Sequence, residues 1–243
     1  MERVDLLVFG PHPDDIEIGL GGTIAKHAAF GHRVGLCDLS AGEMGSNGTV
    51  EERLAEAEAA RAVLGATWRI NLRWPDRALD RPDHIRAAAI VVRAARPRAV
   101  AIPYGEDRHP DHSAAHRVLR EAVFSAGLRR FDVEGEAWKP EWICYYFIND
   151  STVPSFMIDV TEYYERKRAA LACHRTQFAP ADQGAVDTRL TSPLFLQLVE
   201  SRDAQFGAQA GVRFAEGIIV REPIVRSSVF KEQTVSVRTS ERA

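Results

Sequence analysis

The sequence predicts an α/β fold: a Rossmann-like, doubly wound, mostly parallel sheet of order 3-2-1-4-5 with helices on both faces. Three observations predict it. Short apolar runs alternate with helix-length segments up to Ala126. Glycines stand where those helical segments should stop, at Gly31 and Gly65. Two related tetrads, His12-Pro13-Asp14-Asp15 and His109-Pro110-Asp111-His112, each come just after a strand-like run.

The elements follow in order. Val4–Phe9 is a short apolar strand, and Gly10–Asp15 is irregular. A helix is expected from Glu17 to Phe30, closed by Gly31, and then a strand from Arg33 to Leu39. The glycine-rich stretch Ser40–Thr49 reads as a loop, and the alanine-rich Val50–Leu64 as a helix with Glu and Arg at helical spacing. A brief strand at Arg69–Leu72 precedes a helix over Pro82–Ala95, opened by proline. Ala99–Ile102 is a fourth strand and His112–Ala126 a fourth helix. Strands joined through helices of this length imply right-handed crossovers and a parallel sheet. Beyond, Trp142–Ile148 and Ser155–Val160 are strand-like and either extend the sheet or form an edge layer. Thr161–His174 is expected as a helix capped by Thr161, and Ser192-Pro193 opens another running to Gln209. One domain over residues 1–230, with a polar and frayed tail over 231–243, completes the expectation.

Composition narrows the function. A chain of 243 residues has ample core for an enzyme, and its formal charge of −3 speaks against a nucleic-acid partner. The three cysteines, Cys37, Cys144 and Cys173, form neither a disulfide framework nor a paired metal motif. With no secretory segment and no apolar run long enough to span a bilayer, a cytoplasmic protein without membrane attachment is expected.

In the predicted strand order, strands one and four are neighbours, and their C-terminal ends flank the switch point where ligands bind. The two tetrads therefore converge. His12, Asp15 and His112 make a His/Asp/His set suited to Zn²⁺ with one coordination position left open, and Asp14 is spare to act as a base. The set points to a metal-dependent hydrolase. His116, four residues after His112, is either a fourth ligand or a packing residue. His27, His32 and His84 read as ordinary surface histidines, and Gly19, Gly21 and Gly22 as close-packing positions, not a dinucleotide fingerprint.

The residues Gly10-Pro11-His12-Pro13-Asp14-Asp15-Ile16-Glu17 resemble the first signature of the zinc-dependent PIG-L/LmbE-type N-deacetylases, and His109-Pro110-Asp111-His112 resembles the second. Ser40-Ala41-Gly42-Glu43, Gly48-Thr49, Glu51-Glu52-Arg53, Leu72–Leu79 and Lys167–Phe178 also resemble family segments. Within that family the chain most resembles bacillithiol-pathway deacetylases acting on N-acetylglucosaminyl-malate, through Glu106-Asp107-Arg108 and the layout of its second half. It departs at Arg77, where many members carry glycine in a PDG turn.

The resemblance implies one Zn²⁺ per chain (Fe²⁺ can use the same ligands), an amino-sugar conjugate as substrate, and a homo-oligomer, trimeric or hexameric. It implies that His109 faces the amide opposite Asp14, with Asp111 fixing its tautomer. Substrate contacts are expected from Glu43, Asn47, Arg53, Arg108 and His174. Of these, Arg53 and Arg108 are suited to a carboxylate of the aglycone. A surface ion pair with Glu56 is the other reading of Arg53, a solvated loop that of Glu43 and Asn47, and a helix-end position that of His174. Trp74, Tyr104 and Trp142 either line the sugar's apolar face or belong to the core. A metal-dependent phosphoesterase and a non-catalytic sugar-binding protein are the competing classes.

Overall fold

The computed structural model describes residues 1–179 and 184–225. Among them lie seven strands in one sheet of order β3-β2-β1-β4-β5-β7-β6. The first five are β1 (Leu6–Gly10), β2 (Val34–Ser40), β3 (Trp68–Trp74), β4 (Ala99–Pro103) and β5 (Trp142–Tyr146). These pair in parallel, in the expected order. β1 and β2 are buried along their whole length, which is why they read as unbroken apolar runs and not as alternating ones. β1 lies beside β4, with Leu6 opposite Ala99 and Val8 opposite Ala101, so both tetrads leave the sheet at one edge.

Helices cover both faces. On one, α3 (Pro82–Ala95) and α4 (Pro110–Ala126) bury Val92, Leu119 and Val123 against Phe9 and Ile102. On the other, α1 (Asp15–Ala29), α2 (Val50–Leu64) and α5 (Tyr164–Cys173) pack Ile16, Ile24 and Leu64 over Val8 and Leu36. Thr49 caps α2 reciprocally with Glu52, and Gly65 closes it at φ 77°. Gly31 at φ 81° ends α1 in the same way. Gly19 and Gly22 allow close approach: a Cβ on Gly22 would meet Val160 at 2.7 Å, and one on Gly19 would overlap Tyr146.

The second half differs from expectation in two places. β7 (Ala215–Ile219) inserts antiparallel between β5 and β6 (Phe156–Asp159) and shows no strand pattern in sequence. The reason is Glu216, which is buried at 1% exposure. Its carboxylate accepts from the Gly22 and Thr23 amides and pairs with the buried Lys167, whose ammonium also binds Asp203. Thr161 does not cap a helix. A 3₁₀ turn at Thr161–Tyr163 comes first, α5 starts at Tyr164, and the Thr161 hydroxyl bonds the Phe214 backbone instead. A four-residue α6 (Arg175–Phe178) and α7 (Pro193–Ala210) complete the described elements. The expected tail over 231–243, like residues 226–230, lies outside the described residues.

Candidate active site

The C-terminal end of β1 passes through Gly10–Pro13 to Asp14, whose backbone takes φ 114° and ψ −32°, a region L-residues rarely adopt. Such a residue stores on the order of 1–3 kcal/mol, held by its surroundings. What holds it is Arg53 of α2. This guanidinium is buried, donates to the Gly42 and Pro13 carbonyls at 2.8 and 3.0 Å, and lies 3.4 Å from the Asp14 carboxylate. Arg53 therefore braces the loops beside Asp14 while also lining the pocket, where it was expected as a substrate contact. It forms no ion pair with Glu56, whose carboxylate accepts from the backbone and hydroxyl of Thr176. Burial pushes Asp14 up to about 6, against the pull of Arg53.

The carboxylate of Asp15 accepts from the His12 amide at 3.0 Å, lies 3.0 Å from His12 Nδ1 and is 3.3 Å from His112 Nε2. One ligand atom from each of His12, Asp15 and His112 falls within 4.8 Å of the others. A second such group, His12, His109 and Asp111, shares His12. Two residues to which the sequence reading gave no role at the site complete the cluster. Asp107 pairs with His112 Nδ1 at 3.0 Å, and Asp76 lies 3.4 Å from His12 Nε2. Despite burial, Asp111, Asp15 and Asp76 raise His12 to about 10, and Asp15 and Asp107 raise His112 to about 9. The carboxylates crowded around the two imidazoles lack compensating positive charge, the condition a divalent cation relieves. Two imidazoles and one carboxylate are also a donor set such a cation accepts. The residues fit a metal.

His109 caps α4 and accepts at Nδ1 from the Asp111 amide at 3.2 Å, which leaves its proton on Nε2. Burial, with His112 and His12 alongside, lowers its pKa. This corrects the expected role of Asp111. Its backbone, not its carboxylate, fixes the tautomer of His109. The carboxylate instead accepts from the Arg77 amide at 3.1 Å and lies 3.4 Å from His12 Nε2. Arg77 itself adopts φ 64°, so the left-handed turn that glycine would favour survives with arginine in place.

These groups form the floor of a pocket of about 370 Å³. Arg77, Arg108 and Arg189 stand around it with Met44, Leu190 and Phe195. Arg108 is exposed and has no ion-pair partner among the described residues. Three expected substrate contacts do not line the pocket. Glu43 accepts from the Asp76 amide at 2.7 Å. Asn47 is spent on both backbone groups of Val186, tying the chain after residue 184 to the β2–α2 loop. His174 is fully buried, 3.4 Å from Glu17. Glu17 in turn binds Arg69, which grips Asp38, and against its own burial Arg69 and His174 hold Glu17 down to about 2. His174 thus belongs to a charged layer under Asp14.

Other candidates resolve similarly. His116 donates its Nδ1 proton to the Pro103 carbonyl at 2.9 Å and is not part of either cation group. His84 is buried, not on the surface: it stacks on Trp74 at 3.9 Å and bonds the Leu79 carbonyl. Tyr104 packs on Phe147, and Trp142 on Phe156, so Phe195 is the aromatic ring at the pocket.

Comparison with known proteins agrees with this geometry. The sequence pattern of the family described as GlcNAc-PI de-N-acetylase (PIG-L) matches residues 7–123. The diacetylchitobiose deacetylase of Thermococcus kodakarensis is 30% identical over 229 residues, 88% of this chain and 81% of that one. The 1D-myo-inositol 2-acetamido-2-deoxy-alpha-D-glucopyranoside deacetylase of Rhodococcus opacus is 28% identical, covering 89% and 96%. A conserved protein from Thermus thermophilus superimposes with a TM-score of 0.86 at 37% identity, covering 95% of this chain and all of that one.

Proposed function

This chain belongs to the PIG-L family, and from that premise we propose that it is a metal-dependent hydrolase removing the N-acetyl group from an N-acetylglucosamine conjugate. One observation carries the reading: His12, Asp15 and His112 converge at the β1/β4 switch point with the buried Asp14 beside them. His12, Asp15 and His112 would hold one divalent ion, Zn²⁺ by their chemistry, with Fe²⁺ able to use the same donors. When bound, such an ion polarises the amide carbonyl and lowers the pKa of water to about 7.

Asp14, held near neutral pKa and fixed by Arg53, takes the proton of the attacking water as its oxygen adds to the acetyl carbon. His109 presents Nε2–H across the cluster, where it stabilises the developing oxyanion, and the proton that Asp14 took from the water passes to the departing amine as the C–N bond breaks. Acetate and the free amino sugar leave. Asp111 and Asp107 orient His12 and His112 from behind.

The aglycone we propose is malate, as in the bacillithiol-pathway substrate N-acetylglucosaminyl-malate. The support is the cationic rim of Arg77, Arg108 and Arg189, which suits carboxylates better than the neutral second sugar of chitobiose. Arg108→Ala should cost roughly 2–3 kcal/mol in catalysis on that conjugate, the range for a charge-assisted hydrogen bond. It should barely change turnover of free N-acetylglucosamine or diacetylchitobiose, in amine-release assays run side by side. Equal losses on all three would remove the malate assignment and leave the deacetylase intact.

A second reading, a two-metal phosphoesterase, draws on the second cation group sharing His12. Two ions per chain by elemental analysis, with no amine released, would favour it. A further part of the proposal is that the chain acts in the cytoplasm as a homo-oligomer. No helix among the described residues is long and apolar enough to cross a membrane, and the mass in solution against 27.0 kDa per chain reads the oligomer directly.

A further inference from the structure

Beside the catalytic loop, further along α4 from His112, lies another cavity of about 320 Å³. Its walls carry Arg117 and Arg120 of α4, Arg221 just past β7, Tyr145 of β5 and the imidazole of His116. Glu106 is the one acidic residue among those lining it. Arg117 reaches Asp80 at 3.4 Å across an exposed pair. Among the described residues, Arg120 and Arg221 have no carboxylate partner, and Arg221 lies over the Tyr145 ring at 5.6 Å. Like charges gathered this way in a chain of net charge −3 cost energy unless an anion neutralises them.

His116 adds the second observation. It is only 7% exposed, and its Nδ1–H is spent on the Pro103 carbonyl. Its Nε2 has no partner among the described residues, and the ring lines the cavity. Burial lowers its pKa against the pull of the Pro103 carbonyl, and Arg221, Arg120 and Arg117 nearby lower it further.

We propose that this cavity is an anion-binding site for a phosphate group, free or as the phosphate monoester of a small sugar. Guanidinium forks match phosphate oxygens bidentately, and an imidazole that takes up a proton alongside the anion supplies a further donor. The volume exceeds that of a lone phosphate, which leaves room for the esterified sugar. The site also touches the machinery. A Cβ on Gly105 would meet His116 at 2.9 Å, and Ser113 Oγ donates to the Gly105 carbonyl, so an occupant bears on the loop carrying Asp107 and Arg108. The inference stands on this geometry alone and not on the deacetylase reading.

Calorimetric titration of the metal-loaded, full-length protein tests it, with inorganic phosphate, glucose 6-phosphate and succinate as separate probes. With the rim variant Arg77→Ala/Arg108→Ala as background, so that carboxylates are not held at the other pocket, phosphate or the ester should bind with half-saturation at or below about 1 mM, and succinate at least tenfold more weakly. The Arg120→Ala/Arg221→Ala variant should lose at least tenfold in affinity, while Arg77→Ala/Arg108→Ala, at the other pocket, keeps it. If the double variant fails to fold, Arg120→Gln and Arg221→Gln taken singly should each weaken binding at least threefold. The inference is overturned if phosphate does not bind, if succinate binds equally, or if affinity falls with the rim variant and not with Arg120 and Arg221. Stronger binding of glucose 6-phosphate than of phosphate identifies the ester as the source; equal binding identifies the free ion.

Discussion

The two tetrads occupy equivalent places, each between a parallel strand and a helix, yet their backbones differ. Asp14 sits at φ 114°, whereas His109, the corresponding helix-capping position, has an ordinary φ of −87°. The difference follows from spacing. Asp14 and Asp15 are sequence neighbours that must both address one small cluster, and successive residues of a regular helix point about 100° apart. An unusual backbone at Asp14 brings them together, and Arg53 holds it there. His109 and His112 are three apart, a spacing that places side chains on one helix face without strain. Their rings stack at 4.7 Å. Strain is thus concentrated where adjacent residues carry different duties.

The largest expected effect breaks both tetrads at once. His12→Ala or His112→Ala should lose most of the bound metal and with it nearly all turnover, measured by elemental analysis after dialysis. Full occupancy in both variants would dismiss the ligand set. Next comes the separation of duties within the first tetrad. Asp14→Asn should keep its metal while kcat falls at least about 10²-fold, the contribution of a positioned base. Near-normal turnover would place the base elsewhere.

The second tetrad depends on a residue outside it. Asp107 accepts from the His109 and Asn149 amides and pairs with His112 Nδ1, and despite burial these partners hold it down to about 2. Asp107→Asn should therefore weaken metal affinity about 10–100-fold, as removal of a carboxylate orienting a ligand histidine does. An unchanged affinity in a chelator competition would mean that His112 is oriented by packing alone. The smallest effect concerns the strain itself. Asp14→Gly should be more stable than Asp14→Ala by about 1 kcal/mol, because only glycine adopts this φ freely. Equal melting temperatures for the two would show that Asp14 is not strained.

Much of this was legible because it is local. The runs at Leu6–Gly10 and Ala99–Pro103, the alanine-rich α2 and the terminating glycines all declare themselves within a few residues, and chain connectivity then sets the strand order. What was not legible depends on partners far away in sequence. β7 is hidden because Glu216, polar by type, is buried against Lys167 and the α1 backbone. Asn47 reads as a sugar contact until Val186 is seen to take both of its amide groups. Asp76 and Asp107 look like any loop carboxylates until the fold sets them beside His12 and His112.

By itself, then, the sequence determined the parallel α/β sheet and the meeting of the two tetrads at one switch point, since periodicity and crossover handedness act locally. Tertiary structure alone decided which atom of each charged residue faces which partner. Asp111 holds Arg77 and His12 by its carboxylate and His109 by its amide, and Arg53 braces Asp14 across 39 residues. A carboxylate accepts from any donor brought within about 3 Å, and only the packed chain sets which donor arrives.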